Sequence, residues 1–293
     1  MSDQITTALS QQYHSNVEML VQQRGSVTRP FVREETLVGK SGFYDQVGAT
    51  TARQRTTRHG DSPYIATPHS RRMVVTADYE WGDYIDSFDQ VRTLIDPSNS
   101  YVQAGAFALG RSIDEVVLAA AFGTAQTGET GGTPLTFAND GGSTIVHGSA
   151  GMTIDKLLEA KEILDNNEVD PGERRFIVQT AEQFRDLLGT LQITSADYNS
   201  VRALVHGEVD TFLGFQFIRI NDSTDFLPKV STTRDCLAFT ERGLLLAVGS
   251  DLTARVTERD DKSFSWYAYN CMAIGATRMQ GEKFVKIECT EAS

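Results

Sequence analysis

The stretch NSYVQAGAFALGRSIDEVVLAAAFG, Asn99 to Gly123, constrains this chain more than any other. Apolar residues recur at Val102, Ala106, Leu109, Ile113, Val116, Val117, Ala120 and Ala121, the spacing of one buried helix face. Pro97 to Ser100 supplies a start signal and Gly123 a stop. At 1.5 Å per residue such a helix spans roughly 36 Å, long for one domain. Ser112 and Glu115 read as an internal capping box, so a second helix could begin after Gly110. The apolar stripe passes Gly110 without a phase break, which predicts one helix with a bend allowed there.

What precedes the helix looks extended and unable to bury itself. Met1 to Val21 carries the pattern of a short amphipathic helix on Tyr13, Val17, Leu20 and Val21, too short to stand alone in water. From Val27 to Thr76, residues of strand type are separated by glycine and proline: Gly39 to Val47, Thr50 to Thr57, a turn at His59 to Pro63, then Arg72 to Thr76. This predicts a two-stranded ribbon with ragged ends. About twenty residues per leg would reach on the order of 65 Å. A ribbon without a third strand is marginal alone, and its edges need a partner surface.

Charge is divided the same way. Arg24, Arg29, Arg33, Lys40, Arg53, Arg55, Arg58, Arg71 and Arg72 face only Glu34, Glu35, Asp45 and Asp61, a local +5 that leaves −17 on the rest of a chain of net charge −12. A basic arm on an acidic body binds nucleic acid or docks on another copy of itself. Three arginines at 53, 55 and 58 supply few phosphate contacts while the body repels phosphates, so docking is the stronger reading. Lys40, Arg53, Arg55, Arg58, Arg71 and Arg72 are the candidate interface residues.

After the ribbon, Met73 to Leu94 alternates and leads into the long helix. Gly123 to Gly151 carries eight glycines in a loop or loose hairpin around Pro134 to Phe137, with a mobile surface excursion the favoured reading. Ile154 to Leu164 is a helix capped by Thr153, and the turn at Asn166 to Glu173 marks a domain boundary. Arg175 to Gln179 is a buried strand; Thr180 to Gly189 is a short helix with Thr180 and Gln183 as capping box. Val201 to His206 ends a further helix, and a hairpin turns near Gly214. Strands follow at Cys236 to Phe239, Leu244 to Val248, Leu252 to Thr257, Phe264 to Ala273 and Phe284 to Cys289. A chain of 293 residues with 40% hydrophobic content can bury a core in one large or two smaller domains, and the class is α+β.

No chemical signature stands out. GKS at Gly39 to Ser41 lacks the glycine that a phosphate loop needs five residues earlier, where Glu34 stands. The glycines of 123–151 do not form GxGxxG, and no GxSxG elbow is present. His14, His59, His69, His147 and His206 never fall at ligand spacing. Asp165, Asp170 and Glu173 match a calcium loop only loosely, since Pro171 interrupts it, and a turn is the better reading. Cys236, Cys271 and Cys289 form no CxxC, which predicts free thiols in or near strands. No apolar run approaches membrane-span length and the first twenty residues lack a secretory pattern, so neither cofactor, metal, membrane nor catalysis is expected.

The order of elements resembles that of tailed-bacteriophage major capsid proteins, the Hong Kong 97 capsid fold. ALGRSIDEVVLAAAFG resembles the family's spine helix, RFIVQTAEQFRDLL followed by TFLGFQFIRIND its axial domain, and YNCMAIGATRMQGEKFVKIE its return strands. The resemblance implies an N-terminal arm at 1–35, an E-loop ribbon at 36–75, a peripheral domain at 76–172 and 266–293 with its spine at 99–122, and an axial domain at 173–265. It also implies hexamers and pentamers closing into an icosahedral shell around double-stranded DNA, contacted without sequence preference, in a virion assembled in the host cytoplasm. Implied partners are further copies of the chain, a portal protein and, in some relatives, a cement or decoration protein. Only some thirty residues precede the ribbon, so a separate scaffolding protein is expected. Some relatives join subunits through a lysine–asparagine bond; Lys40 lies in the ribbon, but a lone lysine at a ribbon edge is usually solvated, and no cross-link is expected. An encapsulin-like nanocompartment shell is the nearest rival reading, and a soluble α+β enzyme the rival from another class.

Overall fold

The computed structural model describes residues 22–58, 60–62, 64–85, 98–189, 211–223 and 226–291. The expected helices before Val21 and at Val201 to His206, the turn at His59 to Pro63, and the approach to the long helix through Phe88 and Leu94 lie wholly or partly outside the described residues. Up to the long helix the strands are β1 (Arg33–Thr36), β2 (Ser41–Val47), β3 (His69–Val75) and β4 (Ala77–Ile85), followed by α1 (Ser98–Phe122). Then come β5 (Ala125–Thr127), β6 (Thr133–Leu135), β7 (Ser143–Ile145), α2 (Ile154–Asn166), β8 (Arg175–Gln179) and α3 (Ala181–Leu188). The C-terminal part is all strand: β9 (Thr211–Phe212), β10 (Phe215–Arg219), β11 (Lys229–Val230), β12 (Thr233–Thr240), β13 (Leu244–Arg259), β14 (Ser265–Arg278) and β15 (Phe284–Thr290).

Helix α1 is uninterrupted, and Gly110 serves a purpose other than breaking it. A Cβ at Gly110 would sit 2.6 Å from Gly25, so glycine is what lets the incoming chain cross the helix there. Arg111 donates to the Gln22 side chain at 3.3 Å and to the Gln23 carbonyl at 3.4 Å beside that crossing.

The chain forms two compact units: residues up to Ser26, Asp78–Ser112 and Ser250–Ala273, and residues Val27–Ala77, Ile113–Gly249 and Ile274–Ser293. In the first, β4 lies beside β14 and β14 beside the outer half of β13. Tyr84 packs against Tyr267 with the rings tilted and their centroids 4.6 Å apart, and Tyr269 donates to Glu80 at 3.0 Å. β13 is one sixteen-residue strand where the sequence predicts two, because Gly249 to Asp251 stays extended instead of turning.

The second unit is built on the seven-stranded sheet β7-β15-β12-β8-β10-β9, with β11 paired to β12. β8 is buried at all five positions, as RFIVQ predicts for a central strand covered on both faces. On one face Leu157, Ala160 and Leu164 of α2 and Leu187 of α3 join Ile177, Phe215, Ala238, Val285 and Ile287 in the core. The leucine, isoleucine, valine and phenylalanine side chains among them contribute about 1.5–3 kcal/mol each when fully buried. On the other, Phe31, Phe176, Phe239 and Phe284 run in a row with centroids 5.0, 5.5 and 6.3 Å apart. α3 carries the predicted Thr180–Gln183 capping box, and Gly214 (φ 89°) makes the predicted turn from β9 to β10.

The glycine-rich segment 123–151 is a correction. It holds β5, β6 and β7, places Ala125 and Ile145 in the interior, and buries Asp140. All three cysteines are free, with Cys236 and Cys289 fully buried on neighbouring strands. The hydrogen bond with Cys289, together with burial, holds the Cys236 thiol above its ordinary pKa.

Lys156, in the first turn of α2, is buried, and burial pushes its pKa down. Its Nζ donates at 2.9 Å to the carbonyls of His147, Ala150, Gly151 and Glu288. That knot ties the loop before α2 to β15. Lys156→Met keeps the stem but leaves those carbonyls short of a donor, and should lower unfolding stability by about 2 kcal/mol. An unchanged urea midpoint would show that water replaces the ammonium without loss.

Candidate functional site

The six basic residues singled out in the sequence all lie between Lys40 and Arg72, in the ribbon. β2 and β3 pair antiparallel from Ser41↔Val75 to Val47↔His69. Seven paired residues at about 3.3 Å each span roughly 23 Å, so the paired part is far shorter than twenty residues per leg implies. Thr50 to Thr57 forms no strand. Nor is the ribbon two-stranded: β3 pairs with β5 and β5 with β6, and Thr127 Oγ1 donates to the Arg71 carbonyl at 2.7 Å. The expected missing third strand comes from the glycine-rich segment.

Alternation along β3 separates two of the candidates. Adjacent strand residues face opposite ways, so Arg71 and Arg72 cannot share a surface. Arg71 turns outward, opposite Asp45 in register, with Nε 2.5 Å from Oδ1 and its guanidinium 5.4 Å from the Phe43 ring. The Arg71 hydrogen bond holds the exposed Asp45 carboxyl below its usual range. Arg72 turns inward and is 6% exposed. Its Nε donates to the Met279 carbonyl at 2.9 Å and its Nη2 pairs with Asp140. The expectation that Arg72 faces a neighbour is therefore corrected: it holds the ribbon to its own subunit.

Asp140 also accepts from Arg278 Nε at 2.7 Å. Arg278, fully buried, donates further to Ala121 and Gly123 carbonyls at 2.9 and 2.8 Å and to Leu135 at 3.2 Å. One guanidinium thus closes the C-terminal end of α1, where carbonyls have no partner within the helix. A second anchor lies at Asp114. Its carboxylate accepts from Val27 N at 3.1 and 3.0 Å, partly buried, and in the interior from Thr28 N at 2.8 Å and Thr28 Oγ1 at 2.7 Å. Asp114 was not among the sequence candidates, although an acid inside the apolar stripe of α1 was the available signal.

The remaining candidates are exposed. Lys40 stands at the start of β2, and its carbonyl accepts from Thr76 N at 3.1 Å. Arg53, Arg55 and Arg58 lie beyond the opposite end of the paired strands, so Lys40 does not belong to the same cluster. Arg55 Nε donates to the Thr57 carbonyl at 2.9 Å and its guanidinium also reaches the Arg58 carbonyl, curling the tip on itself. Among the described residues none of these three arginines has an ion pair. The same segment exposes Val38 (94%), Phe43, Val47, Tyr64 (92%), Ile65 and Val75. Six large apolar side chains left exposed along one segment are suited to contact with another protein rather than with water.

Among the described residues no three His, Cys, Asp or Glu side chains are grouped to hold a metal ion, and no helix is long and apolar enough to cross a membrane. Asp165, in the last turn of α2, pairs with Arg175 at 2.6 Å, and Glu173 pairs with Lys283 at 2.8 Å.

The chain matches a family model described as phage capsid protein over residues 5–291. No curated protein matches its sequence. Among solved structures it is similar to one titled Mycobacterium phage Che8 at 17% identity and TM-score 0.69, covering 95% of this chain and 96% of that one. The capsid of Ralstonia phage GP4 is similar at 11% identity and TM-score 0.73, covering 97% and 96%. The head structure of Helicobacter pylori bacteriophage KHP40 is similar at 10% identity and TM-score 0.71, covering 100% and 97%. Identities this low carry the fold alone, but the family model spans nearly every residue, and on that ground the chain belongs to the phage capsid protein family and is a structural protein of the virion.

Proposed function

We propose that this capsid protein is the major shell subunit, of the Hong Kong 97 type, and that it assembles as hexamers and pentamers into an icosahedral shell around double-stranded DNA. In this reading residues 1–35 are the arm, 36–75 the E-loop, 76–172 and 266–293 the peripheral domain, and 173–265 the axial domain. Assembly takes place in the host cytoplasm with a scaffolding protein and a portal. The observation that carries the reading is the ribbon itself. It is held to its own subunit by Arg72 and Asp140 yet leaves six apolar side chains and three cations uncovered. A shell of copies covers such a surface, and an acidic body of −17 avoids sticking to the packaged nucleic acid.

Arg53, Arg55 and Arg58 dock on a neighbouring copy in this reading, with Lys40 and Arg71 as separate contacts farther along the ribbon. Exposed pairs are worth about 0–1 kcal/mol each, but a contact repeated around every ring adds up. Replacing all three by glutamate should block or loosen assembly in light scattering and negative-stain microscopy, with the circular dichroism of the subunit unchanged. High salt should weaken wild-type assembly in the same direction. Normal shells from the triple variant that fail only at DNA packaging would move the arginines to a lumenal role.

A further inference from the structure

Beside the far end of β2 the second unit carries a groove of about 750 Å³ whose walls include Gln46, Val47, Glu168, Asp170, Arg242 and Glu282. Its other charges are spent internally: Arg72 on Asp140, Arg174 on Glu241 at 3.1 Å, and Lys283 on Glu173. That leaves the exposed carboxylates of Glu168, Asp170 and Glu282 against Arg242, an excess of two negative charges with no ion pair among the described residues. Val47, 66% exposed, and the neighbouring Ala49 give the groove an apolar strip along which an arginine stem can lie.

We infer that this groove receives the Arg53–Arg58 tip of a neighbouring copy. The inference rests on the reading above that these arginines bind a neighbour, and it names the receiving surface. The tip carries Arg53, Arg55 and Arg58 against Asp61, an excess of two positive charges that matches the groove. Among the described residues the tip makes no ion pair with the groove, although it follows Gly48 and Ala49 of the groove wall by only a few residues in sequence. A tip and a groove of opposite charge on each copy, unmatched within the copy, form a head-to-tail contact, the kind that closes rings. A groove of this size holds two or three side chains and lets carboxylates meet guanidinium groups from the side.

The test uses the full chain in two reversed forms: a tip form, Arg53→Glu with Arg55→Glu and Arg58→Glu, and a groove form, Glu168→Lys with Glu282→Lys. All five side chains are exposed, so unchanged circular dichroism and melting are expected. Each form alone should lose at least tenfold in assembly yield. A 1:1 mixture should recover hexameric rings, because in alternating order every glutamate tip meets a lysine groove and every arginine tip an acidic one. Recovery in the mixture can come only from contact between copies. If the tip form fails while the groove form assembles normally, the arginines bind a neighbour elsewhere and the groove inference is overturned alone. If both assemble normally, the docking of these arginines falls with it. Should the groove form fold poorly, Glu168→Gln with Glu282→Gln keeps the shape, and a wild-type yield from that variant at low salt would equally overturn the inference.

Discussion

Replacing Arg278 with methionine is expected to remove about 3–5 kcal/mol of stability, the usual result of stranding one member of a buried ionic network. The side chain is fully buried and serves four acceptors: Asp140, the Ala121 and Gly123 carbonyls at the end of α1, and Leu135. Methionine fills part of the volume and satisfies none of them. Asp140 keeps Arg72, so its charge is not wholly abandoned, which places the loss within the range rather than above it. Urea unfolding of dissociated subunits measures it. A loss under about 1 kcal/mol would mean that water reaches the end of α1 and takes over the carbonyls. Because Asp140 links Arg278 to Arg72, and Arg72 sits on β3, the same variant should also expose the ribbon to protease before the rest of the unit unfolds.

The second large effect is a dependence on acid centred on Glu291. This carboxylate is 2% exposed and accepts from Arg234 Nε at 2.6 Å and from Gln183 Nε2 at 2.6 Å, with Lys229 as a further ion pair. Burial pushes its pKa up, but the bonds from Arg234, Lys229 and Gln183 outweigh burial and hold it down at about 2, against an ordinary 4.5. A group whose folded pKa lies below its unfolded value binds more protons when unfolded. Its contribution is therefore fully present above about pH 4.5 and is lost as pH falls toward 2. A depression of that size corresponds to about 3 kcal/mol. Subunit stability followed between pH 6 and 2 should fall by that amount more in the wild type than in Glu291→Gln, which should already be less stable at pH 7. Parallel pH profiles for the two proteins would remove Glu291 from the account. Arg234 is also 2% exposed and reaches the Leu227 carbonyl at 3.0 Å, so the same network fastens the chain beyond β15 to β12 and α3.

Neither network could be read from the sequence, and the reason is separation along the chain. Asp140 and Arg278 stand 138 positions apart, Arg72 and Asp140 68, and Gln183 and Glu291 108. Asp140 in particular lies in a segment whose eight glycines pointed to a loose surface loop. Glycine content reports local backbone freedom, and it carries no information on which distant strands will cover the segment. The ribbon was misjudged for the same reason. Strand-forming residues before and after the tip were visible, but β5 and β6, which widen the sheet, come from beyond the long helix. Arg71 and Arg72 show the limit most sharply. Period-two alternation requires them to face opposite ways, yet which one turns inward depends on Asp140 and Met279, neither of them near in sequence.

What the sequence determined by itself was everything governed by contacts within a few residues. The single helix at 98–122, the Thr153 cap, the Thr180–Gln183 capping box, the turn at Gly214 and the all-buried strand RFIVQ follow from periodicity, capping and turn chemistry, which act over one or two turns of chain. The opposition of a basic ribbon to an acidic body is likewise a property of composition, since it needs no coordinates. Only the tertiary structure decided which charges are spent inside the subunit and which stay exposed. Arg72 went to the interior because the register of β3 aims it at Asp140, whereas Arg53, Arg55 and Arg58 are exposed and, among the described residues, pair with no carboxylate. Burying a charge is tolerable only opposite a partner, and the partner's place is set by how the whole chain packs.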